Sequence, residues 1–289
     1  MKVGEFQIQS LETGRFKLDG GAMFGSVPKK LWERAIPADA DNRIDMAARI
    51  VLLQDLKSGR HLLMDTGNGH KWPEKLLKIY AIDYSEFTLE KSLAQVGLKE
   101  TDITDVVLTH LHFDHAGGAT KINDAGQIVP SFPNATYYVQ KDNYEWATKP
   151  NSRESASYLP ENFEPLVAAG ILEICDGVDE FSKKLNWPGF EVFISYGHTI
   201  GLQAPIVRIG NETFFYPADM IPTSHHVPIP WVMGYDIHVI KLLEEKEQLL
   251  QRAATENWTL IYEHDPKIKA SKVRKTEKHY EAFEPASEI

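Results

Sequence analysis

The chain has a single cysteine, Cys175, in 289 residues. An intramolecular disulfide is therefore excluded, and so is a zinc site built from several thiolates. No apolar run approaches the roughly 18 residues that a membrane span needs. The N-terminal stretch MKVGEFQIQSLETGRFKLDGG breaks its apolar residues with charge every few positions and contains no signal-peptide core. Positive charge is scarce as well: 31 Lys and Arg against 41 Asp and Glu give a net charge of −10. The average surface would repel nucleic acid and anionic membrane, so the expected partner is a neutral or cationic small molecule. Together these absences give the expectation of a cytoplasmic protein.

What is present is ordinary globular composition, 43% hydrophobic and 25% charged, with no short-period repeat and no low-complexity linker. One domain over 1–289 is the expectation. Strand-like runs fall at 5–9, 49–56, 61–67, 105–110, 135–140, 190–195, 203–210, 212–219 and 258–264, most of them bounded by Gly, Pro, Asn or Asp. Helical periodicity falls at about 73–80, 86–97, 140–147, 161–169 and 236–256, the last with Asp236 as its expected cap. Strands in groups with helices between them indicate sheets covered by helices, an α/β (α+β) class. The stretch 148–165 has no clear period and reads equally as a lid or as a surface excursion.

The densest chemistry is THLHFDHAGG, residues 109–118, at the end of the apolar run DITDVVL. On an extended strand or its exit, His110 and His112 project to one side and could share an ion. Asp114 and His115 follow on the turn, and their different direction suits a second ion. Imidazole nitrogen and carboxylate oxygen suit zinc and its first-row neighbours. His198 follows the strand FEVFIS, Asp219 ends FFYPAD and His264 ends TLIYEH. Each polar candidate terminates an apolar run, so all could converge on one edge of the sheets.

THLHFDHAGG, GHTIG, the Asp of PADMI and the His of YEHDP, in that order, resemble the metallo-β-lactamase superfamily of metallohydrolases over roughly 60–265. The resemblance implies an αββα sandwich, two mixed sheets flanked by helices, behind an N-terminal extension of about 1–45. It also implies a dinuclear site: His110, His112 and His198 on one ion, Asp114, His115 and His264 on the other, and Asp219 between them. Asp219 stands where many β-lactamases of the superfamily carry cysteine, and His112 where flavo-diiron proteins carry glutamate. The branch that remains is similar to lactonases and methyl parathion hydrolase.

The implied enzyme is a dinuclear metal-dependent hydrolase whose nucleophile is a hydroxide held between two divalent ions, zinc first, with iron, manganese or cobalt as alternatives. Asp114 and Asp219 are the expected catalytic carboxylates. The expected substrate is a lactone, carboxylic ester or thioester, as in acyl-homoserine lactonases. The alternatives are an organophosphate triester or phosphodiester hydrolase and a metal-binding protein without turnover. His225 and His226 are candidates to protonate the leaving group, and Asp65 is a candidate to orient a ligand. Met23, Phe24, Phe113, Trp146, Trp231 and Met233 are candidate pocket walls. The basic run 266–278 reads as a solvated face or an anion site, Cys175 reads as a packing residue, and GGAMFGSVP reads as an exposed segment suited to homodimer contacts.

Overall fold

A computed structural model describes all 289 residues. The strands, in chain order, are β1 (Lys2–Val3), β2 (Phe6–Asp19), β3 (Arg43–Asp55), β4 (Arg60–Met64), β5 (Asp105–Val107), β6 (Thr120–Ile122), β7 (Ile128–Pro130) and β8 (Thr136–Gln140). They continue as β9 (Leu172–Cys175), β10 (Phe190–Ser195), β11 (Leu202–Ile209), β12 (Glu212–Phe215), β13 (Thr259–Ile261), β14 (Ala270–Lys275) and β15 (Tyr280–Ala286). One sheet has the order β1-β2-β3-β4-β5-β8-β9, the other runs β10 to β15 in sequence order, and β6 and β7 form a separate hairpin. Both large sheets are mixed, with parallel pairing at β4-β5-β8-β9 and at β12-β13.

The continuous apolar run in β3 follows from burial on both of its faces. Val51 and Leu53 point between the sheets, where they join Met64, Ile206, Phe214 and Leu260 in the largest buried cluster. Ile50 and Leu52, on the alternate face, meet Leu89 and Leu93 of the helix Leu89–Gln95 in a second cluster. The period-2 alternation thus feeds two cores at once. The helix Val239–Thr255 adds Leu242, Leu249, Leu250 and Ala253 to the first cluster. Each of these leucines, fully buried, contributes about 1.5–3 kcal/mol. The layers are helix, sheet, sheet, helix, and no helix is long and apolar enough to cross a membrane.

Several expectations need correction. Asp236 does not cap the last helix, which starts at Val239 after His238. Asp236 instead accepts the Met233 N–H at 2.7 Å. The basic run 266–278 has its middle in β14, paired on both sides, and the exposed Arg274 and Lys275 lie on Glu281 and Glu247, as in a solvated face. Met23 and Phe24 are buried against Trp32, Ile44 and Met46 of the same chain, so GGAMFGSVP is not an exposed apolar face.

Candidate dinuclear metal centre

The strand that carries the first histidines is shorter than the alternation argument requires. β5 ends at Val107, because Asp65 captures the next turn: its carboxylate accepts the Thr109 N–H at 2.6 Å and the Thr109 hydroxyl at 2.7 Å. His110 and His112 therefore lie in irregular chain beyond the strand, and Asp114 and His115 lie in the one-turn helix Phe113–Ala116. Gly117 and Gly118 follow it where a Cβ would run into the backbone carbonyls of Asn68 and Thr66. From the other sheet, His198 lies just past β10. Asp219 sits in the turn Ala218–Met220 after β12, and His264 lies just past β13.

These segments bring all seven predicted side chains together, as two groups of four that share Asp219. In one, Nδ1 of His112 lies 3.0 Å from Nε2 of His110 and 3.3 Å from Nε2 of His198. Oδ2 of Asp219 is 3.2 Å from that His198 nitrogen. In the other, Asp219 is 3.4 Å from Nε2 of His115 and 3.1 Å from Nε2 of His264, while Asp114 reaches them at 3.8 and 3.6 Å. Nε2 of His115, Nε2 of His264 and Oδ1 of Asp219 are buried without a hydrogen-bond partner in the chain. Buried polar atoms are almost always satisfied. Orphaned nitrogens and oxygens that face one another, all of ligand type, fit a pair of divalent cations.

Each imidazole turns one nitrogen inward and finds a neighbour for the other. Nδ1 of His198 meets Asp236 at 2.9 Å, and Nδ1 of His264 donates to the Ala47 carbonyl at 2.9 Å. Nδ1 of His115 lies between Asp65 at 3.0 Å and Glu263 at 2.9 Å. Nδ1 of His110 is 3.1 Å from the Thr109 hydroxyl. His112 is reversed: Nδ1 faces inward and Nε2 lies 3.5 Å from Glu154. Such partners fix the tautomer and ring orientation that a ligand needs.

The electrostatics agree. Burial, then the neighbouring histidines, hold His110 well below its ordinary value, so its nitrogen lone pair is free. Burial also opposes charge on His264, but Asp219 and Glu263 overcome it and raise it to about 9. Burial would lift Asp219, yet His115, His198 and His264 hold it far below the carboxylate range. Burial raises Glu263 to about 7. Without cations, the acidic neighbours thus shift His115, His198 and His264 toward the protonated form, and bound metal would displace those protons.

The site floors a cavity of about 200 Å³ with Met23, Met46, Phe113 and Met233 among its walls. Of the other wall candidates, Phe24 is stacked between Trp32 and His226, Trp231 packs on Phe24, and Trp146 donates its indole N–H to Glu154. His226 is also outside the cavity: it is fully buried, bonds Thr223 and the Met23 carbonyl, and is lowered to about 3 by burial. His225 does not line the cavity either. The reach from Asp219 along the sequence is bent away by the turn Ser224–His226. Tyr80 and Tyr235 line the cavity instead.

Sequence reasoning missed Asp236, Glu263, Glu154 and Tyr158. Glu263 is adjacent to His264, which was the one available signal; Glu154 and Tyr158 lie in a polar stretch without a period.

The profile of the Metallo-beta-lactamase superfamily matches residues 46–264, and the chain belongs to that superfamily. Within it, the protein is a metal-dependent hydrolase with a site for two divalent ions. It is 27% identical over 266 residues to the N-acyl homoserine lactonase AiiB of Agrobacterium fabrum, which covers 85% of this chain and 89% of that protein. A probable metal-dependent hydrolase from Staphylococcus aureus has a similar structure, with TM-score 0.86 and 30% identity over 98% of this chain and 99% of that one. AidC, a dizinc quorum-quenching lactonase solved with the product N-hexanoyl-homoserine, superposes with TM-score 0.75 at 25% identity, over 98% of this chain and 95% of its own.

Proposed function

We propose that this protein opens lactones of the acyl-homoserine type, using two zinc ions. His110, His112 and His198 would hold one ion and Asp114, His115 and His264 the other, with Asp219 shared. When bound, such a pair makes water nucleophilic near neutral pH and polarises the ester carbonyl. The chain's own groups do the rest. Asp114 faces the cavity from the second group, where its carboxylate can hold the proton released as water attacks. Met23, Met46, Phe113 and Met233 offer an apolar wall for an acyl chain. The observation that carries this reading is the sharing of Asp219 by two complete ligand groups at the floor of an apolar cavity. The lactonase relatives support the substrate class. A single buried thiol, Cys175, suits the cytoplasm, where we place the protein.

The test is metal analysis of purified protein beside His112→Ala and Asp219→Ala, each assayed on acyl-homoserine lactones, aryl esters and a paraoxon-type triester. Two ions per parent chain, fewer in both variants, and a rate loss of about a hundredfold or more are expected, with lactones the best substrates. Turnover of the phosphorus ester alone would overturn the substrate class.

A further inference from the structure

Between the helix Lys141–Thr148 and the turn Pro160–Asn162, residues 149–159 cross the mouth of the cavity. Most of this stretch is exposed, but Glu154 is 4% exposed and Tyr158 3%. The segment is stitched to the metal-binding loop: the Phe113 N–H donates to the Ser157 carbonyl at 2.9 Å, and His112 and Tyr158 form a β-bridge. On the far side, Arg153 donates to the carbonyls of Gly234 and Asp236.

Glu154 is a buried carboxylate with no lysine or arginine partner. Burial of this kind is unfavourable unless hydrogen bonds or a cation offset it. Three donors reach it: the Thr199 hydroxyl at 2.6 Å, the Trp146 indole at 2.9 Å and the Asn151 amide at 3.4 Å. The only basic side chain beside it is His112, whose Nε2 lies 3.5 Å away. That nitrogen is buried and makes no hydrogen bond in the chain, so Glu154 is the acceptor poised to receive its proton.

We propose that Glu154 is a positioning residue for the ligand His112, and that this contact makes the segment 149–159 a cover whose closure is coupled to metal binding. Glu154 selects the tautomer that points Nδ1 of His112 at the first ion. A cation on Nδ1 withdraws charge from the ring, which makes the Nε2–H a stronger donor to the carboxylate. Metal therefore tightens the cover, and by linkage the closed cover tightens metal. The inference rests on the metal centre and not on the choice of substrate.

Trypsin reads the cover directly. Arg153 is the only Lys or Arg between Pro150 and Ser182, since Lys149 precedes a proline. In the zinc-loaded full chain, cleavage after Arg153 should be about tenfold or more slower than in metal-free protein. In Glu154→Ala that difference should vanish, and zinc should pass to a chelator about 10–100-fold faster than from the parent. Glu154→Gln keeps a carbonyl oxygen facing Nε2 and should fall between the two; it also carries the zinc-release measurement if the alanine variant does not fold. Zinc-independent cleavage of the parent, or parent-like zinc release from both variants, would overturn the proposal. A parent that shows zinc-dependent protection but no lactone hydrolysis would sink the substrate reading and leave this one standing.

Discussion

Asp236 acts at the scale of one side chain. One oxygen meets Nδ1 of His198 at 2.9 Å while the other accepts the Met233 N–H at 2.7 Å. Burial lifts its carboxyl and His198 draws it back, so the charge is held by the ligand it orients. Asp236→Asn keeps the shape and removes the charge. Zinc affinity should fall by about 10–100-fold while the circular dichroism spectrum is unchanged. Competition with a chromophoric chelator measures this, and parent-like affinity would reduce Asp236 to a loop clasp. His226 has a different consequence. It is buried neutral between Thr223 and the Met23 carbonyl, and burial lowers it from the ordinary histidine value to about 3. The unfolded chain therefore binds the proton first as pH falls, and stability declines below about pH 6.5 by at most about 1.4 kcal/mol per unit for this one group. In metal-free protein, denaturant unfolding between pH 6.5 and 4.5 should show a shallower decline for His226→Gln than for the parent. Equal slopes would mean that His226 does not contribute.

Elements set what the pattern of residues could and could not reveal. The last helix joins the segment 226–231 through Lys246, which is fully buried and donates to the carbonyls of His226, Pro228, Ile229 and Trp231 at 2.7, 3.1, 3.3 and 2.8 Å. Lys246→Met would strip those carbonyls of their donor inside the protein, at a cost of about 2 kcal/mol or more. Urea unfolding at fixed metal content checks it. Lys246 looked like any polar position on an amphipathic helix, because periodicity reports the face and not the burial of its margin. Asp236 had the spacing of a helix cap, but its bond to His198 joins residues far apart in sequence and outcompetes the local role. β14 and β15 escaped notice because Lys272, Arg274 and Lys275 interrupt their apolar residues, although partners in the sheet and on the last helix receive those charges. The convergence of the seven candidate ligands was legible for the opposite reason: each follows an apolar strand at its end, and strand ends of packed sheets gather at one edge.

At the scale of the whole molecule, the candidate ligands divide between the sheets. His110, His112, Asp114 and His115 follow β5 of one, while His198, Asp219 and His264 follow strands of the other. A bound pair of ions would therefore add a link between two layers that also meet through apolar packing and hydrogen bonds such as His264 to the Ala47 carbonyl and Gln140 to Gln203. A second link needs no metal: Arg49 in β3 is fully buried, pairs with Glu12 at 3.0 Å, and donates to the carbonyls of Asp265, at 2.9 Å, and Tyr262. Removing Arg49 leaves those carbonyls short of a donor and Glu12 with Arg15 as its remaining cationic partner, at a cost of about 3 kcal/mol. The two links should separate in thermal melts. At zinc a hundredfold above its dissociation constant, the parent gains about 2.7 kcal/mol over the chelated form, on the order of 4–5 °C for a chain of this size. Arg49→Met should melt lower in both states and keep that gain. Asp219→Ala should lose most of the gain, since both ligand groups include Asp219. If Asp219→Ala kept the full zinc increment, the ions would not be joining the sheets through the shared carboxylate, and the two groups would be independent sites.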